Sequence, residues 1–393
     1  MTFAETKHLD EQYIMPTYGR FGLCLTEGKG CRVKDAEGKT YLDFTAGIGV
    51  NSLGWCDDEW AAAVCKQAGL LQHTSNLFYT QPGALLAKKL CERTGMDKVF
   101  FANSGAEANE GAIKAARKYS RKKYGKDRST ILSITNSFHG RTMAALSATG
   151  QTELQKDFDP MVPGFRHIPA GDATALATAL GPDVCALMIE PIQGEGGVLP
   201  FDKEYMEMIE SVCRPRDILI IADEIQTGVG RTGHFLASSL YGLHPDIVTL
   251  AKGLGSGLPI GAVLFRDTCS DSLGKGEHGT TFGMNPICCA GANVVMDRLD
   301  EAFLEDVAEK GQWFHKQLAA LPSVTQVSGA GLMWGLSFAP PITAASVREE
   351  AQNRGLLCLL AKSRLRLLPP LIISKEELKE GLSILQTVLE KLS

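Results

Sequence analysis

Residues 217–224, DILIIADE, and residues 246–252, DIVTLAK, decide the fold of this chain. Each contains a short apolar run, which is typical of a strand buried on both faces of a parallel sheet. Asp223 lies at the end of the first run and Lys252 at the end of the second. Ligands of open α/β sheets bind at the carboxyl ends of strands. The two stretches therefore predict a carboxylate and an amine at neighbouring strand ends.

The segments around these runs extend the pattern. Apolar runs near residues 99, 130, 185 and 260 alternate with helical segments near 105–124 and from 203, which predicts a large domain with a mostly parallel sheet flanked by helices. Outside it we predict a hairpin at 30–44, a long helix from Pro286 toward Leu321, a helix near 343–354 and a helix from Ser374 to Leu392. The predicted domains are 1–55 and 286–393, forming a small α+β unit, and 56–285, forming the large one.

Composition limits the classes of function. The 393 residues are 44% hydrophobic and 22% charged, proportions that support a large buried core. Forty Lys and Arg against 45 Asp and Glu give a net charge of −5, which does not favour binding to nucleic acid or to an anionic membrane. The charged N-terminal segment and the lack of any run of about 20 apolar residues predict a cytoplasmic protein without a membrane anchor.

The cysteine and histidine patterns bear on redox state and metals. Eleven Cys, an odd number, are scattered through apolar segments, which favours reduced thiols in the core over a disulfide framework. The chain has no C-x-x-C pair, and its eight His are isolated from one another, so we predict no metal site. The sequence assigns no role beyond packing to the adjacent Cys288 and Cys289.

A third feature is the segment NSGAEANEGAIKAARKY, which starts at Asn103 directly after an apolar run. Ser104 and Glu107 predict a capping box, and a well-capped helix is the simplest interpretation. Gly105 and Ala106 nevertheless leave the first-turn amides open to an anion such as a phosphate. An amine, a carboxylate and a phosphate seat are together what pyridoxal 5'-phosphate (PLP) requires.

One motif points elsewhere. Gly228, Gly230 and Gly233 spell G-x-G-x-x-G, a pattern associated with nicotinamide cofactors. Five residues separate it from the preceding apolar run, a weak helix opening follows, and no acidic residue stands about 20 positions beyond to bind a ribose hydroxyl. A nicotinamide site is therefore not favoured. A P-loop is not favoured either, because the chain has no G-K-[ST] sequence.

Seven segments together resemble the class III, fold type I, PLP-dependent aminotransferases, and most closely the acetylornithine aminotransferases. They are FFANSGAEANEGAIKAAR, SFHGRTMAALSATGQ, IEPIQGEGGV, IADEIQTGVGRTG, TLAKGLGSGLPIGA, HGTTFGMNP and LRLLPPLII, in the order of the family and over nearly the whole chain. The resemblance implies a large sheet domain that binds PLP, a small domain built from both termini, and a homodimer whose active sites lie at the subunit interface.

The same resemblance implies roles for individual residues around the cofactor. Lys252 is similar in position to the Schiff-base lysine and Asp223 to the partner of the pyridinium nitrogen. The other implied cofactor contacts are Gln226 at the phenolic oxygen, Phe138 on the ring face, Ser104, Gly105 and Ala106 at the phosphate, and Thr281 at the phosphate of the other subunit.

For the substrates, guanidinium groups that bind carboxylates are expected at Arg141 and Arg366. In the family the Arg366 position takes the carboxylate of glutamate or 2-oxoglutarate, and Glu195 pairs with that arginine when another donor is bound. Ornithine aminotransferases carry a Tyr at the position of Ile48. An apolar side chain there favours a donor whose α-amine is acylated or absent.

The resemblance thus implies transfer of the terminal amino group of N-acetylornithine to 2-oxoglutarate in arginine biosynthesis. Ornithine, succinylornithine and 4-aminobutyrate remain alternative donors, and a PLP aminomutase remains an alternative activity, as does a protein that keeps the fold without catalysis. The chain departs from the family at Trp55–Asp58, Phe282 and Met284, which leaves the pocket near those positions open.

Overall fold

The computed structural model describes residues 1–393. Its helices are α1 (Phe3–Tyr13), α2 (Ala46–Gly49), α3 (Asp58–Ala68), α4 (Gln81–Thr94), α5 (Gly105–Tyr124), α6 (Met143–Ala148), α7 (Ala173–Ala179), α8 (Lys203–Cys213), α9 (Pro286–Arg298), α10 (Glu301–Ala319), α11 (Ala344–Asn353) and α12 (Lys375–Leu392).

The strands are β1 (Leu25–Lys29), β2 (Arg32–Asp35), β3 (Thr40–Asp43), β4 (Lys98–Ala102), β5 (Thr130–Ile134), β6 (Phe165–Ile168), β7 (Val184–Ile189), β8 (Ile192–Gln193), β9 (Leu199–Pro200), β10 (Leu219–Asp223), β11 (Ile247–Leu250), β12 (Gly261–Phe265), β13 (Val324–Ala330), β14 (Met333–Phe338), β15 (Leu356–Leu357), β16 (Leu359–Ala361) and β17 (Arg364–Leu367).

A seven-stranded sheet forms the centre of the molecule, in the order β4-β12-β11-β10-β7-β5-β6. Only β12 runs antiparallel to its neighbours. Every residue of β7, β10, β11 and β12 is buried, as expected for apolar strands covered by helices on both faces. The predicted α/β fold with a mostly parallel sheet is confirmed, and β10 and β11 are neighbours.

Helix α5 packs on this sheet through a stripe of small side chains. Ala108, Ala112, Ala115 and Ala116 are fully buried and belong to one apolar cluster with strand residues such as Ile221. Alanines at this spacing fall on one helical face and allow the helix to approach the strands closely. The packing fixes the N-terminus of α5 beside the carboxyl end of β10.

Two four-stranded sheets lie outside the central one. The first contains the predicted hairpin, in which Val33 of β2 is opposite Tyr41 of β3, and β15 from the C-terminal part pairs in parallel with β3. The second has the order β13-β14-β17-β16. Segments from both ends of the chain therefore share a sheet, while the boundaries near residues 55 and 285 stay predictions.

The single long helix predicted from Pro286 toward Leu321 is wrong, because the structure has two helices there, α9 and α10. The backbone of Leu299 leaves the helical region at ψ 56°, and Asp300 begins α10 by accepting a hydrogen bond from the Phe303 amide at 2.8 Å. Asp at an N-cap satisfies an otherwise unpaired amide, so the break is a new helix start.

No helix of the chain is both long and apolar enough to cross a membrane. All eleven cysteines are free, and Cys288 and Cys289 are buried in α9. No three His, Cys, Asp or Glu side chains are grouped so that they could hold a metal ion.

Candidate active site

A cavity of about 470 Å³ opens at the carboxyl ends of β10 and β11. Most of the predicted cofactor residues line it together, namely Ser104, Gly105, Ala106, Phe138, Asp223, Gln226 and Lys252, and Arg141 lines it as well. Four predicted residues are not in its wall: Ile48, Glu195, Thr281 and Arg366. Glu195 and Arg366 nevertheless reach the cavity through Gln226.

Lys252 follows β11 by two residues and has a left-handed backbone with φ 43°. Burial lowers the pKa of its ammonium group, although the carboxylates of Glu195 and Asp223 oppose part of that shift. A lysine with a lowered pKa is more often uncharged and therefore more nucleophilic than a solvated one. The position of Lys252 suits an amine that attacks a carbonyl.

The glycines after Lys252 are needed by the backbone itself. A Cβ on Gly255 would lie 2.1 Å from the carbonyl oxygen of Leu258, and one on Gly253 would lie 2.6 Å from Ser52 Oγ. The tight turn after Lys252 therefore requires Gly255, and close packing against Ser52 requires Gly253.

Asp223 is held by three donors. Its Oδ2 accepts hydrogen bonds from Asn109 Nδ2 at 2.8 Å and from His139 Nδ1 at 2.7 Å. Its Oδ1 accepts one from the Ile225 amide at 3.1 Å. Thr249 of β11 in turn donates to Asn109 Oδ1 at 2.8 Å. These donors hold the buried carboxylate in place, where it can pair with a positive charge in the cavity.

Glu224, the next residue, points away from this network. Its carboxylate accepts hydrogen bonds from the Ala237 and Ser238 amides and from Thr227 Oγ1, at 2.6–2.9 Å. Burial raises the pKa of the Glu224 carboxyl. The two acids at the end of β10 thus differ in role: Asp223 faces the cavity, and Glu224 anchors a loop.

The N-terminus of α5 forms another wall of the cavity. Ser104 caps the helix by accepting from the Glu107 amide at 3.2 Å, but Glu107 accepts from the Asn103 amide at 2.6 Å and not from the Ser104 amide, so the predicted capping box is incomplete. The first-turn amides of Gly105 and Ala106 have no acceptor within the helix. They are available to a phosphate, which the helix dipole also favours.

Phe138 and Arg141 come from the loop between β5 and α6. The Phe138 amide donates to Glu190 Oε1 at 2.8 Å, and Glu190 Oε2 accepts from the Gly194 amide at 3.1 Å. Burial raises the pKa of the Glu190 carboxyl to about 7. The exposed Arg141 guanidinium lies 5.7 Å from the centre of the Phe138 ring.

Arg366, on β17, forms an ion pair with Glu195 at 2.6 Å and donates to Gln226 Oε1 at 3.1 Å. Burial raises the pKa of the Glu195 carboxyl, but the charge and hydrogen bond of Arg366, together with Lys252 and Gln226, outweigh burial and the pKa is lowered. Arg366 is only 3% exposed, and its Nε has no hydrogen-bond partner. A guanidinium with an unused donor can accept a carboxylate if Glu195 moves aside.

Thr281 and Ile48 lie apart from the cavity of their own chain. Thr281 is exposed, whereas its neighbour Thr280 accepts a hydrogen bond from Asn103 at 2.8 Å. The side chain of Ile48 is 45% exposed and its backbone φ is 66°. Val50, and not Ile48, lines the cavity. The cofactor role of Thr281 and the specificity role of Ile48 therefore stay predictions.

Two of the three departures from the family pattern have structural explanations. Trp55 Nε1 donates to Asp43 Oδ2 at 2.7 Å, and Asp57 caps α3 by accepting from the Trp60 amide at 3.0 Å. Met284 packs so closely on Gly83 that a Cβ there would lie 2.4 Å from Met284 Cγ. Phe282 has no such explanation, since it is exposed and contacts only the His73 ring among the aromatic groups.

Sequence reasoning missed Asn109, His139 and Glu190. His139 and Glu190 lie within quoted motifs, SFHGRT and IEPIQGEGG, and Asn109 lies within NSGAEANEG. All three are buried polar residues next to a predicted site residue, and a buried polar side chain needs a partner. That requirement is the signal that could have singled them out.

Known proteins resemble this chain over nearly its whole length. The profile described as Aminotransferase class-III matches residues 13–389. The acetylornithine aminotransferase of Haemophilus ducreyi is 52% identical, with 100% of both chains covered, and that of Methanocaldococcus jannaschii is 44% identical, with 97% of this chain and 96% of the relative covered. The crystal structure of ornithine aminotransferase from Toxoplasma gondii has a TM-score of 0.95 at 34% identity, covering 100% of this chain and 96% of that one. The chain belongs to the class III aminotransferases.

Proposed function

We propose that this chain is a PLP-dependent acetylornithine aminotransferase. It transfers the terminal amino group of N-acetylornithine to 2-oxoglutarate and gives N-acetylglutamate 5-semialdehyde and glutamate, a step of arginine biosynthesis. The observation that carries the proposal is that Lys252 and Asp223, at adjacent strand ends, line one cavity with the N-terminus of α5. The full-length similarity to acetylornithine aminotransferases supports the choice of donor.

The residues present fit PLP. Gly105 and Ala106 offer unpaired amides to a phosphate, and Asp223 offers a hydrogen-bonded carboxylate to the ring nitrogen. Phe138 would stack on the ring, and Gln226 would contact its phenolic oxygen. When bound, the cofactor supplies an electron sink for the substrate carbon that loses a proton.

Lys252 is the base and acid of the reaction. Its Nζ would hold the aldehyde of the cofactor and, when free of it, would take the proton from the substrate carbon and give it back during the reaction. Burial lowers the pKa of Lys252, which favours the uncharged amine that this proton transfer requires.

Arg366 and Glu195 allow one pocket to serve two unlike substrates. Their 2.6 Å ion pair neutralises the guanidinium while the donor is bound. A dicarboxylate acceptor would compete with Glu195 for Arg366, whose Nε is otherwise unpaired. Arg141, exposed at the cavity wall, would bind the carboxylate of the donor.

The working unit is a homodimer. Large apolar side chains are exposed on one short segment, with Leu70, Leu77, Phe78 and Tyr79 at least 68% exposed, and such a concentration is typical of a protein interface. Thr281 lies in an exposed segment outside the cavity of its own chain. We assign Thr281 to the phosphate seat of the partner subunit.

A panel of donors tests the function directly. The holoenzyme is supplied with 2-oxoglutarate and with N-acetylornithine, ornithine, succinylornithine or 4-aminobutyrate, and glutamate is measured. We expect the highest kcat/KM with N-acetylornithine. A higher value with another donor would replace the proposed substrate, and isomerisation of a donor without glutamate formation would show an aminomutase. Failure of the purified chain to bind PLP would refute the proposal that it is a PLP-dependent enzyme.

A further inference from the structure

A second cleft, of about 340 Å³, lies away from the PLP cavity where α10, the turn between β13 and β14, and the loop after Gly230 meet. Its walls include six polar side chains: Thr232, His234, Gln312, His315, Lys316 and Trp334. The volume is at the lower end of the range for small-molecule sites. None of the residues assigned to PLP or substrate lines it.

Two of these side chains carry buried atoms without partners. Trp334 Nε1 and Thr232 Oγ1 form no hydrogen bond, although Trp334 is 6% and Thr232 3% exposed. An indole N–H can only donate, so it needs an acceptor. Leaving buried polar groups unpaired is costly, which favours an acceptor-rich guest at this wall.

The charge around the cleft sets the sign of that guest. Lys316 is exposed and forms no ion pair, His234 is exposed, and His315 stacks on the Trp334 indole with ring centres 4.8 Å apart. No Asp or Glu lines the cleft. Cationic and donor groups without a carboxylate among them attract an anion.

We propose that this cleft is a binding site for a small oxyanion, either a carboxylate metabolite or inorganic phosphate. The anion contacts Lys316 at the mouth and accepts hydrogen bonds from Thr232 and Trp334 at the wall. The cleft lies beside the sheet that contains β13 and β14. Leu332, in the turn between these strands, is joined to Arg231 beside the cleft by a backbone hydrogen bond at 2.9 Å. The site is distinct from the Arg366 carboxylate site.

The test uses PLP-loaded enzyme labelled with 5-fluorotryptophan, which gives one fluorine resonance for each of the four tryptophans. Trp334→Phe assigns the resonance of Trp334. Phosphate and succinate are titrated separately, with chloride at matched ionic strength as the control. We expect a saturable shift of the Trp334 resonance with at least one of the two, at a Kd of about 1 mM or below.

Variants locate the binding. Lys316→Gln, which removes a positive charge, and Thr232→Val, which removes a hydroxyl donor, should each weaken it about tenfold. Lys88→Gln, a change of an exposed lysine on α4, and Arg366→Lys should leave it unchanged. A shift that never saturates, or one that Lys316→Gln does not weaken, overturns the proposal. Lys316 is exposed, so its variant decides the question even if Thr232→Val fails to fold.

Discussion

Replacing Asp223 by Asn tests the proposed chemistry most sharply, because shape is kept and the charge is lost. Oδ2 of Asp223 has two donors, Asn109 and His139, and Oδ1 has one, the Ile225 amide. Whichever way the new amide is turned, its NH₂ group faces at least one N–H. The best orientation leaves the Ile225 amide without an acceptor, at a cost of about 1–3 kcal/mol.

The larger effect is on the cofactor. A buried pyridinium without its counterion costs about 3–5 kcal/mol, so kcat should fall by about 10²–10⁴. Turnover of N-acetylornithine is measured together with the absorption spectrum of the bound cofactor, which should shift as the ring nitrogen loses its proton. A kcat within about threefold of the parent, with an unshifted spectrum, would refute the role of Asp223.

Glu224→Gln is the matched control for this change. Glu224 is adjacent to Asp223 and equally buried, but its carboxylate binds Ala237, Ser238 and Thr227. The variant should lose about 1–3 kcal/mol of unfolding free energy. Its kcat per bound cofactor should equal that of the parent, because Glu224 does not face the cavity.

Three further changes separate the remaining roles. Lys252→Ala should abolish turnover while PLP is still bound, and near-normal activity would contradict its assignment. Ile48→Tyr should raise the ratio of kcat/KM for ornithine to that for N-acetylornithine by about fivefold, the effect of one hydrogen bond, and an unchanged ratio would remove Ile48 from the donor site. The pKa of Glu190, raised to about 7, means that its proton stabilises the fold at low pH. Relative to Glu190→Gln, the unfolding free energy of the parent should therefore fall across pH 5–7 by up to about 1.4 kcal/mol per pH unit. Denaturant titrations of both proteins measure this free energy, and equal slopes against pH would show that Glu190 does not titrate in that range.

The central fold could be predicted because its signals are local. Each buried strand of the large sheet is a run of apolar residues bounded by polar ones, and the strand-end rule then brings Asp223 and Lys252 to the same edge of the sheet. Neither step requires knowledge of distant contacts. The cavity at the carboxyl ends of β10 and β11 follows from the same two facts.

The details that failed depend on competition between neighbours. Apolar periodicity continues through Leu299, so the pattern does not show that Asp300 starts a new helix. Glu107 could accept from the amide of Ser104 or of Asn103, and sequence spacing favours the first while the structure has the second. In both places the local backbone geometry, which the residue pattern does not specify, decides which hydrogen bond forms.

Because the sheet is buried on both faces, the strand pattern alone does not choose between Asp223 and Glu224, and the choice of Asp223 came from the family resemblance. Side chains alternate along β10, so Asp223 shares a face with Leu219 and Ile221, which pack with α5, whereas Ile220 packs with α8 on the opposite face. Both faces are equally apolar. Alternation therefore predicts that the two acids point to opposite faces, but it does not predict which of them faces the cavity. The position of α5 decides it. Asn109 of that helix reaches Asp223, so the helix whose first turn offers amides to a phosphate also holds the carboxylate proposed for the ring nitrogen.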